Sequence, residues 1–142
     1  MKKKDIKILL VDDDLDILEI VGFNLSAEGY QVITGENGEE AVKLAKKHQP
    51  HLIIIDVMMP KMDGVEACER IREEPSLSDT IITFLTARGE DYSQVAGFEA
   101  GADDYIAKPI KPKVLISKVK ALLRRLKHSE GSVDAVMQIG DL

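Results

Sequence analysis

Several residue types are scarce in this chain of 142 residues, and each scarcity excludes a class of protein. Aromatic residues make up only 4% and tryptophan is absent, so the core must be built from aliphatic side chains. The single cysteine, Cys68, excludes an internal disulfide framework and a CxxC metal site. The longest apolar runs, such as 8–11 and 52–55, are far too short to cross a bilayer. The basic residues 2–4 precede no signal-peptide core, so we expect a cytoplasmic protein.

The composition is that of one globular domain with an uneven charge distribution. Apolar residues account for 44% and charged residues for 31%, which suffices for one buried core. The net charge of −6 argues that the whole chain is not built to hold nucleic acid. Residues 108–127 nevertheless contain eight lysines and arginines and no acid. This segment is either a solvated helix face or a surface for a partner.

Short apolar runs alternate along the chain with stretches that repeat apolar residues every three or four positions. The run 52–55 is apolar at every position, which indicates a strand covered on both faces, as in a parallel sheet between helices. Five strands alternating with helices predict an α/β fold with a doubly wound, five-stranded parallel sheet. Right-handed crossovers bring the carboxyl ends of its strands to one edge. The predicted strands are 6–11, 30–34, 52–56, 80–85 and 104–107, and the predicted helices are 14–28, 38–48, 63–73, 91–100 and 112–126.

Polar side chains stand where four of these strands end: Asp12 and Asp13, Asp56, Thr86, and Lys108. Because ligands bind at the carboxyl edge of such sheets, we expect these groups to form one site. Three neighbouring carboxylates repel one another unless a cation is present, and a hard divalent ion such as Mg²⁺ suits their oxygens. An aspartate can also accept a phosphoryl group, whose oxygens a lysine and a hydroxyl would bind. The pattern therefore predicts phosphoryl transfer to an aspartate.

Each of these features alone also has an ordinary structural explanation. Asp14 is expected to cap the first helix rather than to bind metal, because carboxylates favour helix N-termini. Thr86 could equally cap the helix that follows it, Tyr105 could be an edge-strand aromatic, and Lys108–Pro109 could be a simple turn. Their joint occurrence, in order and each at a strand end, favours the functional interpretation.

Four motifs follow one another along residues 5–127: VDDD (11–14), IIIDVMMPKMDG (53–64), FLTARG (84–89) and GADDYIAKP (101–109). In this combination they resemble the receiver domain of two-component response regulators. The resemblance implies a flavodoxin-like, three-layer sandwich with strand order 2-1-3-4-5. It also implies that Asp56 is the phosphoacceptor and that Mg²⁺ is bound by Asp12, Asp13, Asp56 and the backbone carbonyl of Met58. Thr86 and Lys108 would bind the phosphoryl group, and Thr86 and Tyr105 would form the switch pair. Gly64 would lie in a tight turn, and the Lys108–Pro109 bond would be cis.

The activity implied by this resemblance is signalling rather than turnover of a separate substrate. Such a domain takes a phosphoryl group from a sensor histidine kinase and assists its own phosphorylation and dephosphorylation, so it is not an enzyme in the usual sense. Phosphorylation would switch the face formed by the helix 91–100, the fifth strand and the last helix, and would thereby control formation of a homodimer. No membrane partner is expected.

The segments 86–91 and 101–109 and the basic last helix are similar to the OmpR/PhoB type, the winged-helix transcription regulators. The resemblance implies a receiver domain over 1–127. Residues 128–142 would then be a linker and the start of a truncated DNA-binding domain, the only part that contacts DNA. The alternative for this tail is a frayed chain end.

By the same analogy, Asp103 and Asp104 would meet Arg125 and Lys118 of a second copy across a two-fold axis. Gln94, Val114 and Ile110 depart from the pattern of this subfamily. Gln94 and Val114 stand where this subfamily usually has an arginine and a glutamate that pair with each other. Since both members of the pair are absent, no charge is left unpaired, but we expect a weaker dimer interface than is usual for the subfamily.

Three alternatives from other functional classes stay open. A Mg²⁺-dependent phosphohydrolase would usually carry DxD after the first strand and an acid two residues beyond its nucleophile, where this chain has Met58. A flavodoxin-like cofactor binder would need a phosphate loop where residues 12–14 are acidic. A degenerate receiver that only binds partners would lack some of the five chemical groups, all of which are present.

Overall fold

The structure, a computed structural model, describes residues 2–86 and 99–135, with the side chains of the last helix described up to Arg125. Five parallel strands form one sheet in the order β2-β1-β3-β4-β5. The predicted fold class and strand order are confirmed. The strands are β1 (Lys7–Val11), β2 (Gln31–Gly35), β3 (Leu52–Asp56), β4 (Ile81–Thr86) and β5 (Asp104–Ala107).

Four helices and two single 3₁₀ turns, Lys3–Asp5 and Pro75–Leu77, are described around the sheet. The helices are α1 (Leu15–Ala27), α2 (Gly38–His48), α3 (Gly64–Arg72) and the C-terminal helix α4 (Pro112–Ala135). The first three begin after a polar residue whose side chain accepts a backbone N–H of the first turn: Asp14, Asn37 and Asp63. Of the predicted helix 91–100, only residues 99 and 100 fall among the described residues.

The core lies in two layers, one on each face of the sheet, because successive strand residues point to opposite sides. Ile8, Leu10, Leu52 and Ile54 face a cluster shared with α1 and the C-terminal helix. Leu9, Val11, Ile53 and Ile55 face a second cluster shared with α2 and α3. All five residues of β3 are buried, which the uninterrupted apolar run predicted. The described residues include no helix that is both long enough and apolar enough to cross a bilayer.

The boundaries differ from the predictions at a few positions. β4 begins at Ile81 rather than Thr80, because Thr80 closes the preceding turn with its backbone N–H on Leu77 and its hydroxyl on the Pro50 carbonyl. The C-terminal helix continues past the predicted end at residue 126 to Ala135. A single glycine costs a helix only about 1 kcal/mol, so the segment 129–132 does not break it. The domain boundary at 127 stays a prediction, and residues 136–142 lie outside the described residues.

Candidate functional site at the carboxyl edge of the sheet

Three carboxylates converge where β1 and β3 end. These strands are neighbours and their register pairs Val11 with Ile55, so the residues that follow lie side by side. Carboxylate oxygens of Asp12, Asp13 and Asp56 all lie within 4.8 Å of one another. Asp12 is fully buried and Asp56 is 6% exposed, while Asp13 faces solvent. The fold thus brings together three predicted site residues that are far apart in the chain.

Lys108 brings one positive charge to this group of acids. It follows β5, and its backbone N–H donates to the carbonyl of Thr86 at 2.7 Å. Its Nζ lies 3.2 Å from Asp56 Oδ1 and 3.4 Å from Asp12 Oδ2. The Lys108–Pro109 bond is cis, as predicted. One ammonium is therefore shared between two buried carboxylates.

The electrostatics leave this site with more negative charge than its lysine neutralises. Burial, reinforced by the charge of Asp12, raises the pKa of Asp56 to about 6. Burial also raises the pKa of Asp12. For Lys108, burial alone would lower the pKa, but the charges of Asp56 and Asp12 outweigh it and raise that pKa. Both carboxylates are therefore harder to ionise than ordinary aspartates, and an added cation would favour their charged forms.

The donor set fits a hard divalent cation. Asp12 Oδ1 accepts a hydrogen bond from the backbone N–H of Asp14. Asp12 Oδ2 is buried and forms an ion pair with Lys108, but it has no hydrogen-bond partner among the described residues. Asp14 caps α1 through its own side chain, as predicted, and so serves the helix. All available ligand atoms are oxygens, which Mg²⁺ prefers. Asp12, Asp13 and Asp56 would hold the ion. That the backbone carbonyl of Met58 is a further ligand stays a prediction.

The loop 57–64 carries the chain from Asp56 to α3 and is folded tightly. The backbone N–H of Gly64 donates to the Val57 carbonyl at 2.8 Å and closes the loop at its base. A Cβ on Gly64 would collide with the backbone carbonyl of Asp56. Glycine is thus required there by this close approach, while the left-handed backbone of the loop belongs to Lys61, with a φ of 68°. Met58, the second residue of this loop, is 63% exposed.

The two predicted switch residues lie on the same face of the sheet. Thr86 is the last residue of β4 and is 1% exposed, one position beyond Leu85, which is in register with Asp56. Tyr105 is partly buried against the cluster of the α2 and α3 face. Its ring meets that of Phe84 edge to face, with centroids 5.5 Å apart. Thr86 is in register with Ala107 and Tyr105 with Phe84, so both switch candidates lie at the β4–β5 pairing. Their switch roles stay predictions.

The four residues predicted to form the dimer face pair within a single chain. Lys118 Nζ lies 3.4 Å from Asp104 Oδ2 and also donates to the carbonyl of Tyr105. Arg125 Nη1 lies 3.8 Å from Asp103 Oδ1. Pairing between two copies would therefore exchange existing contacts, and it stays a prediction. Of the departures noted in the sequence, Val114 is 49% exposed and Ile110 packs on the core, whereas Gln94 lies outside the described residues.

Sequence analysis missed Arg72, which joins α3 to the start of β5. Its guanidinium donates to the carbonyls of Thr80 and Gly101 and to Asp103 Oδ2, at 2.6 to 3.0 Å. The same Asp103 oxygen accepts the backbone N–H of Ile82. Arg72 escaped notice because most of its partners are backbone carbonyls, which a residue pattern does not reveal.

The chain matches the family of response regulator receiver domains over residues 8–120. It is 46% identical over 119 residues to the alkaline phosphatase synthesis transcriptional regulatory protein PhoP of Bacillus subtilis (strain 168), covering 84% of this chain and 49% of PhoP. It is equally 46% identical over 119 residues to the transcriptional regulatory protein ResD of the same organism, covering 84% of this chain and 48% of ResD. The chain thus spans about half the length of these relatives.

Solved structures agree with these relatives. A response regulator from Chloroflexus aurantiacus J-10-fl is 41% identical with a TM-score of 0.79, covering 83% of this chain and 97% of that one. The chemotaxis response regulator CheY4 of Vibrio cholerae is 32% identical with a TM-score of 0.79, covering 82% of this chain and 98% of that one. The names of the curated relatives agree with the predicted OmpR/PhoB type of transcription regulator. This chain belongs to the family of response-regulator receiver domains, the signalling domains of two-component systems.

Proposed function

We propose that this chain accepts a phosphoryl group on Asp56 from the phosphohistidine of a sensor histidine kinase. Mg²⁺ would be held by Asp12, Asp13, Asp56 and the backbone carbonyl of Met58. One observation carries the proposal: the Asp56 carboxylate lies 3.2 Å from Lys108 within a group of three carboxylates whose oxygens are within 4.8 Å of one another. That arrangement offers a nucleophile, a place for a divalent cation and a counter-ion for the transferred group.

The residues of the chain divide the chemistry among them. An Asp56 oxygen attacks phosphorus, the P–N bond to the donor histidine breaks, and the bonding electron pair leaves with the nitrogen. When bound, Mg²⁺ supplies positive charge that offsets the negative charge of the transferring group. Lys108 pairs with a phosphoryl oxygen, and Thr86 donates its hydroxyl to another. The chain thereby assists its own phosphorylation and dephosphorylation without turning over a separate substrate.

The phosphoryl group would act as a switch through its charge. It adds roughly −1.5 to −2 charges, by analogy with other phosphorylated side chains. Thr86 moves towards it, and Tyr105 fills the space that Thr86 leaves against Phe84. The face formed by the helix 91–100, β5 and the C-terminal helix then repacks. Shifting such an equilibrium from 1:99 to 99:1 requires about 5.5 kcal/mol of differential binding, which a few charge-assisted hydrogen bonds can supply.

The consequence of the switch would be regulation of transcription in the cytoplasm. The altered face favours a homodimer, and DNA would be bound only through a C-terminal domain beyond the receiver. Two observations support this part of the proposal: the curated relatives are transcriptional regulators by name, and they are about twice the length that the chain spans.

Incubation with acetyl phosphate and Mg²⁺, followed by intact mass measurement, tests the phosphoacceptor. We expect the mass of one phosphoryl group to be added, and the addition to disappear in Asp56→Asn. Asp14→Asn is the matched control, because Asp14 caps α1 and should leave phosphorylation unchanged. Rapid consumption of acetyl phosphate without an adduct would point to a hydrolase. No reaction at all would leave only a binding module, and either result contradicts the proposal.

A further inference from the structure

The turn between β2 and α2, residues 35–38, forms backbone hydrogen bonds both to Asp12 and to the loop that follows Asp56. The Gly35 carbonyl accepts the backbone N–H of Asp12 at 3.2 Å, next to the end of β1. The backbone N–H of Gly38 donates to the Met62 carbonyl at 3.0 Å, in the loop that follows Asp56. This turn therefore connects the end of β1 at Asp12 with the loop that leads from Asp56 to α3.

Only glycine fits at position 38 without displacing that loop. Gly38 is buried, and a Cβ there would collide with the Met62 carbonyl oxygen and stand 2.8 Å from Met62 Cβ. The obstacle is backbone, which cannot turn aside as the end of a long side chain can. Gly38 is also the first residue of α2, where an N–H has no partner inside the helix and is free to bond outside it. Asn37 satisfies a different donor, the N–H of Glu40.

The loop 57–64 needs such support at the side away from its base. At the base, Gly64 N–H bonds the Val57 carbonyl. Farther along, Met62 N–H bonds the Pro60 carbonyl, Lys61 has a left-handed backbone, and the Met58 side chain is largely exposed. The bond from Gly38 ties this far side to the neighbouring helix. The bond thus fixes the loop at Met62, four residues beyond Met58.

We propose that Gly38 is a positioning residue for the metal and phosphoacceptor site, holding the loop 57–64 in the conformation in which the Met58 carbonyl can serve as a metal ligand. The inference rests on the proposed function, since it assumes that Mg²⁺ binds among these carboxylates. According to this inference, Gly38 affects the affinity for Mg²⁺ although it is not itself a metal ligand. Groups that orient metal ligands commonly have such effects.

The first test compares Mg²⁺ binding by Gly38→Ala and by the parent chain, followed through amide NMR shifts of residues 12, 13 and 56. We expect the dissociation constant for Mg²⁺ to rise about tenfold or more, as is typical when support behind a metal ligand is lost. Gly22→Ala is the matched control, because a Cβ there meets only Leu10 Cδ2, at 4.0 Å. Its Mg²⁺ affinity should not change. An unchanged affinity in folded Gly38→Ala would overturn the inference.

The second test uses the unmodified chain and so does not depend on how the variant folds. Coupling between two sites is reciprocal, so Mg²⁺ must protect the Gly38 amide if that amide supports the Mg²⁺ site. We expect hydrogen exchange at Gly38 to slow about fivefold or more on adding Mg²⁺, the lower end of typical coupling. The Ala41 amide, which bonds Asn37 within the same helix, should change little.

The outcomes separate this inference from the function on which it rests. Mg²⁺-induced shifts at residues 12, 13 and 56 with equal protection of Gly38 and Ala41 would overturn the positioning role and leave the Mg²⁺ site intact. No Mg²⁺-induced shift in the unmodified chain would contradict the proposed function itself.

Discussion

At the scale of single residues, Asp56 has a pKa of about 6 because burial and the charge of Asp12 disfavour its ionised form. An aspartate with the ordinary value of 3.8 would be fully ionised well below that pH. Between these two values the native metal-free protein binds more protons than the unfolded chain. Its free energy of unfolding therefore decreases as the pH rises through this window.

Replacing Asp56 with asparagine should remove that penalty. We expect metal-free Asp56→Asn to be more stable than the parent at pH 7.5 by about 1–3 kcal/mol, and the difference to vanish below a pH of about 4. Urea unfolding at a series of pH values measures it. Asp14→Asn makes the same change outside the buried group and preserves a helix cap, so it is the matched control. A metal-free Asp56→Asn protein less stable than the parent at pH 7.5 would refute this electrostatic account.

Met58 is two residues beyond Asp56, the proposed phosphoacceptor, and exposes 63% of its surface. We expect its apolar side chain to hinder the water that attacks the aspartyl phosphate, whereas an amide at this position could orient that water. The Met58→Asn variant should therefore lose its phosphoryl group about tenfold faster than the parent. This rate increase is smaller than the one usually supplied by a side chain that itself transfers a proton. Release of inorganic phosphate after removal of the donor measures this rate, and an unchanged rate would exclude the role of Met58.

At the scale of elements, β4 contains a buried threonine hydroxyl on a face where the neighbouring strand positions carry aliphatic side chains. Thr83 is fully buried on the face shared with Ile81 and Leu85, and its hydroxyl finds no hydrogen-bond partner among the described residues. Thr80, just before the strand, is also buried, but its hydroxyl donates to the Pro50 carbonyl at 3.1 Å. The two threonines thus form a natural comparison.

Thr83→Val should raise the free energy of unfolding by about 1 kcal/mol, because the substitution keeps the shape and removes an unpaired buried hydroxyl. Thr80→Val should lower it by about 1 kcal/mol, since the Pro50 carbonyl loses its donor. Thermal unfolding of both variants under one condition gives the comparison. If Thr83→Val destabilises the protein as much as Thr80→Val does, the hydroxyl of Thr83 has a partner in solution.

The elements themselves were largely predictable, for identifiable reasons. β3 and β5 have the predicted bounds, and α2 spans the predicted 38–48, because apolar runs, turn glycines and cap residues agree there. The end of the C-terminal helix was predicted too early, at residue 126. Its composition changes after residue 128, but helix propagation continues through a single glycine at modest cost.

At the scale of the whole molecule, the proposed dimer must replace contacts that a single chain already makes. Asp104 pairs with Lys118, and both side chains are more than a third exposed. Exchanging this pair for the same pair between copies conserves the number of contacts. The affinity of the dimer must therefore come mainly from other parts of the face.

Asp104→Ala should consequently change the dissociation constant of the dimer by less than about fivefold, the range for exposed ion pairs. Sedimentation of the phosphorylated protein, or of the protein with beryllofluoride as a phosphoryl mimic, measures this. Lys120→Gln is the control, since Lys120 lies on the same helix but pairs with Glu28 at the end of α1 instead of with β5. A much larger loss of dimer affinity for Asp104→Ala would show that the pair between two copies is stronger than the pair within one chain that it replaces.

The acidic site was predictable because its residues stand at strand ends and a parallel sheet gathers those ends. Asp12, Asp13, Asp56 and Lys108 follow from that rule alone. Arg72 and Gly38 do not, because they bind the backbone carbonyls of Gly101 and Met62, which are distant in the chain. Such partners become visible only when the packing of helices on the sheet is known.

Locating the phosphoryl group by chemical trapping tests the central claim most directly. The chain is incubated with acetyl phosphate and Mg²⁺, reduced with borohydride, and analysed by peptide mass spectrometry. An aspartyl phosphate is reduced to homoserine under these conditions. We predict homoserine at position 56 and the original aspartate at positions 12 and 13, with no conversion when Mg²⁺ is omitted. Homoserine at position 12 or 13, or none at position 56, would contradict the assignment of Asp56 as the phosphoacceptor.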